Sequence, residues 1–419
     1  MAIQAIKLKP GINREGTRYT TEGGYYDGDK IRFRQGTPEK IGGWTQISTS
    51  TFEGVCRSLH NWVTLGGQNL IGVGTHLKFY ISNVGNYNDI TPLRSTVSLT
   101  NPFTTTSGSA VVTVTDSNGG YQNGDYVTFS NATAVGGLTL NGEFVVSLSV
   151  TTAANSYTIT AASNASSSAT GGGTVSAAYQ INVGNPFAVP IEGWGASSWG
   201  SGAWNVGESS TTEIRFFSQS NFGEDLIFGN NGGSIFYWDA TGSVTTRAVL
   251  LSTLSGASDV PAIQNLILVS DISRFVFCFG TNPIGSNTID PTLLRWSDQE
   301  DATNWTPSAT NQAGSLRLSR GTKIVAASQA RQEVLVWTDS SLYSLQYVGA
   351  PAVWAATLVG ENISISSQNA VAYANGVAYW MGKDKFYMYD GRTQPLKCDV
   401  RKYIFNDFNT AQYLSLIHI

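Results

Sequence analysis

Five times along this chain an apolar strand runs into a short polar or glycine-containing turn and returns as a strand rich in aromatics. The segments are NLIGVGTHLKFYI (69–81), DLIFGNNGGSIFYWD (225–239), RFVFCFGTNPIGSNTIDPTLLRWSD (274–298), EVLVWTDSSLYSLQYVG (333–349) and GVAYWMGKDKFYMYDG (376–391). IRFRQGTPEKIGGWTQI (31–47) is a weaker relative. Glycine, asparagine and aspartate at the turns supply the positive φ angles that tight hairpins need. With the stretch 95–182 set aside, successive hairpins begin roughly 40 to 60 residues apart, the spacing of a four-stranded propeller blade. A blade cannot bury both faces alone, so copies stack around an axis. A β-sandwich is the competing arrangement, but five similar hairpins exceed what one sandwich needs. Only 13% of residues are charged and only three are methionine, whereas glycine (45), tyrosine (18) and phenylalanine (18) are plentiful. That balance disfavours helix and suits pleated, half-buried strands. The expected fold is all-β, a propeller-like body of antiparallel sheets.

The stretch 95–182 interrupts the pattern. Between Ser95 and Pro190 the only charged residues are Asp116, Asp125 and Glu143. Short alternating segments such as AVVTVTD, GDYVTFS and NSYTITA are separated by NGG, NG and SNASSSATGGG. A small β-barrel or sandwich domain inserted between propeller strands is expected here. The chain then divides into an N-terminal segment with the first blades (1–94), the insert (95–182) and the remaining blades (183–413). The final six residues, LSLIHI (Leu414–Ile419), read like an in-frame translation of a sequencing adapter. Residues 414–419 are therefore expected to be an artefact, and the propeller to be truncated at its C-terminal end.

Several function classes find little support. The net charge of -4 gives no global nucleic-acid signal, and no apolar run is long enough to span a bilayer. The N-terminus lacks the apolar core of a signal peptide. Cys56, Cys278 and Cys398 are odd in number, far apart and without C-x-x-C spacing, as expected of reduced thiols in a protein made in the cytoplasm. His60 and His76 lack a completing Cys, Asp or Glu at metal-binding spacing, so no metal or cofactor is expected. No nucleophile elbow or phosphate-cradling glycine loop occurs. WSDQEDATNWTP (296–307) places Asp298, Glu300, Ala302 and Trp305 at the spacing of the sialidase-type Asp-box, with three of its four residues replaced. That motif is a structural hairpin even where intact. The carboxylates would suit a glycosidase, but a solvated turn is the simpler expectation; no catalysis is expected.

Two stretches are candidates for contacts. Arg14, Arg18, Arg32 and Arg34 lie among Tyr19, Tyr25, Tyr26 and Phe33, a mixture able to face DNA or an acidic partner. Arg32 and Arg34 share one side of a strand, which is also ordinary edge protection. In EGWGASSWGSGAWNVG (192–207), Trp194, Trp199 and Trp204 recur every five residues, a spacing that suits neither helix nor strand. They are expected to plug grooves at a blade or subunit boundary; an aromatic sugar platform is the alternative.

The opening PGINREGTRYTTEGGYYDGDKIRFRQGTPEKIGGW (10–44) resembles that of the tail nozzle or hub proteins of short-tailed bacteriophages, also called packaged-DNA stabilisation or tail tubular proteins. The Ser/Thr/Gly insert, GWGASSWGSGAWN and LLRWSDQEDATNWTP fit the same style. The resemblance implies a virion protein, synthesised in the host cytoplasm and assembled as a homo-oligomeric ring, by analogy a hexamer. Its implied partners are portal and adaptor proteins, tail fibres or needle, and double-stranded DNA in transit. A neutral, polar channel suits DNA that must move, because many arginine–phosphate contacts would hold it. A carbohydrate-binding propeller for host recognition is the alternative, and a propeller glycosidase a weaker one.

Overall fold

The structure, a computed structural model, describes residues 8–46, 48–148, 155–185, 214–271 and 273–407. The fold is all-β. Helix among these residues amounts to one 3-10 turn, Leu251–Thr253, and one α-helix, Arg401–Asn406. No helix among them is long and apolar enough to cross a membrane.

Five four-stranded antiparallel sheets follow one another as blades, each with its strands in chain order. Their first strands are Cys56–Val63, Phe217–Phe222, Leu266–Val269, Ile324–Gln329 and Val371–Ala374. These first strands are innermost, since it is they that meet from blade to blade. The Ile267 and Val269 amides of blade 3 donate to the Ser218 and Ser220 hydroxyls of blade 2, at 2.9 and 3.1 Å. At the last step Asn369, leading into blade 5, donates through its side-chain amide to the Arg57 carbonyl of blade 1, at 3.2 Å.

The repeated hairpins form the two middle strands of each blade, and their period-2 alternation holds the ring together. In blade 2, Leu226 and Phe228 pack towards blade 1 while Ile227 packs towards blade 3. In blade 4, Val334 and Val336 face blade 3, and Leu335 and Trp337 face blade 5. Strands covered on both faces read as continuous apolar runs. Blade 1 approaches blade 2 closely because it presents glycine there. A Cβ on Gly74 would lie 2.9 Å from the Phe217 side chain.

Four of the five junctions thus enclose a buried apolar cluster. Among the described residues, the junction of blade 5 with blade 1 encloses none. On blade 1 the face turned away from blade 2 carries Leu59, Val63 and Ile71, exposed by 54%, 60% and 40%. On blade 5 the face turned away from blade 4 carries Tyr379, 38% exposed, paired with Ala372 and Met388.

The insert leaves the propeller between blade 1 and blade 2. Its strands pair only with one another, in two four-stranded sheets. One contains Leu93–Thr100, Tyr126–Ser130, Gly142–Val145 and Thr174–Gln180; the other contains Phe103–Thr105, Val111–Thr115, Ser156–Thr160 and Ala169–Gly171. The sheets form a sandwich around Phe103, Val112, Val127, Phe129, Tyr157 and Val175.

The weaker hairpin at 31–47 is a two-stranded sheet, Ile31–Arg34 with Thr37–Lys40, and not a blade, so residues 1–94 supply one blade. Its strands are too charged and exposed to pack between neighbours, and Pro38 cannot donate to a further strand. The N-terminal segment instead docks on the C-terminal helix: the Arg14 amide donates to the Asp399 carbonyl at 2.8 Å, and the Lys402 amide to Glu15 at 2.7 Å.

Candidate functional site

Trp194, Trp199, Trp204 and Leu414–Ile419 lie outside the described residues. The four arginines divide into two pairs. Arg14 is held by Asp27 at 2.7 Å and lies over the Tyr403 ring at 4.0 Å, so it fastens the N-terminal segment to the C-terminal helix. Arg32 is paired with Glu39 at 2.6 Å. Arg18 and Arg34 are exposed. Two of the arginines are thus held by carboxylates, and of the other two Arg18 lies over the Tyr26 ring at 5.4 Å.

The Asp-box-like segment is a closed hairpin. The Asp298 carboxylate accepts the Gln299 and Gln312 amides, each at 2.8 Å. The Trp305 indole donates to the Ala302 carbonyl at 2.8 Å, and both residues are buried in the junction of blades 2 and 3. Glu300 is exposed in a turn at φ 59°, and Asp301 caps Thr303.

His60 and His76 belong to different surroundings. The His60 imidazole bonds the Asn221 side chain at 2.5 Å across the junction of blades 1 and 2. His76 is buried, and its Nδ1 accepts the Val55 amide at 3.0 Å. Burial, with the nearby Arg57 and Arg215 charges, pushes its pKa down to about 4. Among the described residues no three His, Cys, Asp or Glu side chains gather as metal ligands. All three cysteines are free, and burial pushes the Cys278 thiol far up.

The few charges of the insert mark how it is attached. Lys78 of blade 1 is buried, with its ammonium bonded to Glu143 of the insert and 3.2 Å from Asp89 and 3.7 Å from Glu53. Arg247 of blade 2 reaches Asp89 at 3.6 Å and Glu143 at 3.9 Å. Burial alone would lower the Lys78 pKa, but the Glu143 hydrogen bond and the surrounding carboxylates raise it above the ordinary value. Asp125 pairs with Arg94 at 2.9 Å, and Asp116 accepts the Tyr179 hydroxyl at 2.7 Å. Three units meet at Lys78, which gives this cluster a structural office.

A cleft of about 390 Å³ opens between blades 3 and 4. Blade 3 contributes Ser270 and Ser273 from the turn after its innermost strand. Blade 4 contributes Gln329 from the end of its innermost strand, Gln332 and Glu333 from the turn that follows, and Gln346, Tyr347 and Trp354 from the paired ends of its third and fourth strands, Ser341–Gly349 and Val353–Glu361. The Tyr347 ring is 44% exposed yet fixed. Its hydroxyl donates to the Gln312 side chain at 2.9 Å, and its ring lies 5.6 Å from Trp354 and 5.9 Å from Phe275. Trp354 is buried at 5% exposure, and its indole N–H has no acceptor within the protein. The Gln329 side-chain carbonyl is likewise buried without a donor. Sequence reasoning passed over this site because its residues come from separate strands and turns of two blades; the aromatic pair flanking the turn in QYVGAPAVW was the available signal.

No protein-family model matches the chain, and no curated protein does. Among solved structures it is similar to a phage phi92 endosialidase, with 14% identity and a TM-score of 0.24, over 83% of this chain and 56% of that one. It is also similar to Hsv2 of Kluyvelomyces marxianus, with 8% identity and a TM-score of 0.27, over 43% and 47%. A third is BBS1N in complex with ARL6DN, with 8% identity and a TM-score of 0.30, over 83% of both chains. The chain thus spans about half the length of the first two. At these identities and TM-scores the likenesses carry nothing about activity.

Proposed function

We propose that this chain is a structural subunit of a bacteriophage tail, in the nozzle or hub ring that retains packaged DNA and conducts it on ejection, without catalysis of its own. The resemblance of residues 10–44 and of the tryptophan-rich segment motivates the reading. The observation that supports it is the open junction of blades 5 and 1, where Leu59, Val63, Ile71 and Tyr379 leave apolar surface in water. Interfaces of obligate assemblies resemble a core cut in half, and this face has that character. Portal and adaptor proteins form the platform of such a ring, with fibres or a needle beyond it.

The route for DNA lies between subunits. Five sheets about 10 Å apart leave about 16 Å across the axis between backbones, less than a duplex needs once side chains are added. The innermost strands carry one formal charge, that of Arg57, and it is buried. The exposed Arg18 and Arg34 are available to DNA or to a neighbour. The test is genetic. Phage lacking this protein should fill their heads and then lose the DNA; stably filled heads made without it would overturn the reading.

A further inference from the structure

We propose that the cleft between blades 3 and 4 binds a neutral glycan, with one sugar ring laid on Tyr347. This rests on the cleft alone and not on the tail reading. A platform for a sugar face needs an aromatic ring that is exposed and cannot swing away. Tyr347 meets both needs, since Gln312 holds its hydroxyl while Phe275 and Trp354 hold its ring. Beside it the cleft is lined by Gln332, which is exposed, and by Gln329. Side-chain amides offer donors and acceptors together, as the hydroxyls of a sugar require.

Two further groups point the same way. Buried polar atoms almost always have partners, and an exception calls for a reason such as a missing ligand or water. Nine buried side-chain atoms among the described residues lack a partner, and two of them, Trp354 Nε1 and Gln329 Oε1, belong to this one cleft. One is a donor and the other an acceptor, the two kinds of partner that sugar hydroxyls and the waters carried with them provide. The formal charge lining the cleft is that of Glu333, whose carboxylate accepts the Ser344 hydroxyl. Among the described residues no lysine or arginine lines the cleft to pair with phosphate, sulfate or sialic acid, which makes the ligand neutral. Most of the lining comes from strand ends of blade 4, whose ladder hydrogen bonds hold the groups in place.

The test is calorimetric titration of the whole protein with neutral gluco-, manno-, galacto- and N-acetylglucosamine oligosaccharides, with polysialic acid and heparin as anionic comparators. At least one neutral series should bind in the millimolar range or tighter. Tyr347→Ala should weaken that binding roughly tenfold or more. Gln332→Ala, at an exposed position, should weaken it by several-fold without shifting the thermal midpoint, which separates loss of binding from loss of fold. Gln312→Ala, which releases the Tyr347 hydroxyl, should weaken it less than Tyr347→Ala does. Absence of binding to every neutral series, binding to the anionic polymers alone, or binding indifferent to both Tyr347→Ala and Gln332→Ala would each overturn the proposal.

Discussion

His76 is buried near two arginines, and its depressed pKa gives it a definite effect on stability. In the unfolded chain the imidazole takes its proton near 6.5, but in the folded protein only near 4. Above the unfolded value both states are neutral and stability does not depend on this group. As pH falls from 6.5 towards 4 the unfolded state binds the proton first, and stability is lost. His76→Gln should therefore flatten part of the acid sensitivity, read as a smaller shift in urea midpoint between about pH 7 and about pH 4.5. An equal shift in variant and parent would contradict the assignment. Trp337 is fully buried and packs on Trp380 with ring centroids 5.4 Å apart. Trp337→Ala should cost about 3–5 kcal/mol in denaturant unfolding. At this scale the sequence was partly readable. The replaced residues of the Asp-box-like segment already suggested a turn, and Trp305 proves to be a core residue there. Arg14, by contrast, read as one of four open cations, because nothing local shows that Asp27 and the distant Tyr403 engage it.

Among the elements, the middle hairpins were legible because both faces of their strands are covered. Runs such as VFCFGT and VLVWT are buried at every position and apolar up to a closing threonine, and a turn signal follows. The innermost and outermost strands were not legible as parts of blades. Thr393–Leu396 is half polar and contains a proline, and Ile324–Gln329 (IVAASQ) runs from two alanines into Ser and Gln without an aromatic, so neither stands out from a loop until a neighbour pairs with it. The insert announced itself by its shortage of charge, but the meaning of its three charges needed the fold. Lys78 joins the insert to blade 1 while Arg247 adds blade 2, and Lys78→Met would remove the nearest cation from Glu143, Asp89 and Glu53, leaving only the longer Arg247 contacts to the first two. Because those carboxylates are partly exposed, the cost should fall near the low end for a broken buried pair, about 3 kcal/mol. Proteolysis at the segments joining insert and propeller should also quicken. Unchanged stability together with unchanged cleavage would show that apolar packing alone seats the insert.

For the whole molecule, the hairpin spacing pointed to stacked blades, while their number and the state of the last junction depend on contacts between residues some three hundred positions apart. The Asn369–Arg57 hydrogen bond joins the ends of the ring, and among the described residues no apolar cluster closes the faces beside it. That opening supports the account of a protein built to be covered by others. Val63→Asp with Ile71→Asp places charge on this face at exposed positions, where substitutions usually change stability by no more than about 0.5 kcal/mol. The most direct measurement is mass photometry of the protein, alone and with a phage portal–adaptor complex as the proposed platform, for the parent and this double variant. The parent should assemble into a ring of several protomers on the platform, while the variant should remain a folded single protomer with the parent's thermal midpoint. A parent that stays a single protomer both alone and on the platform, or a variant that assembles as well as the parent, would contradict the account.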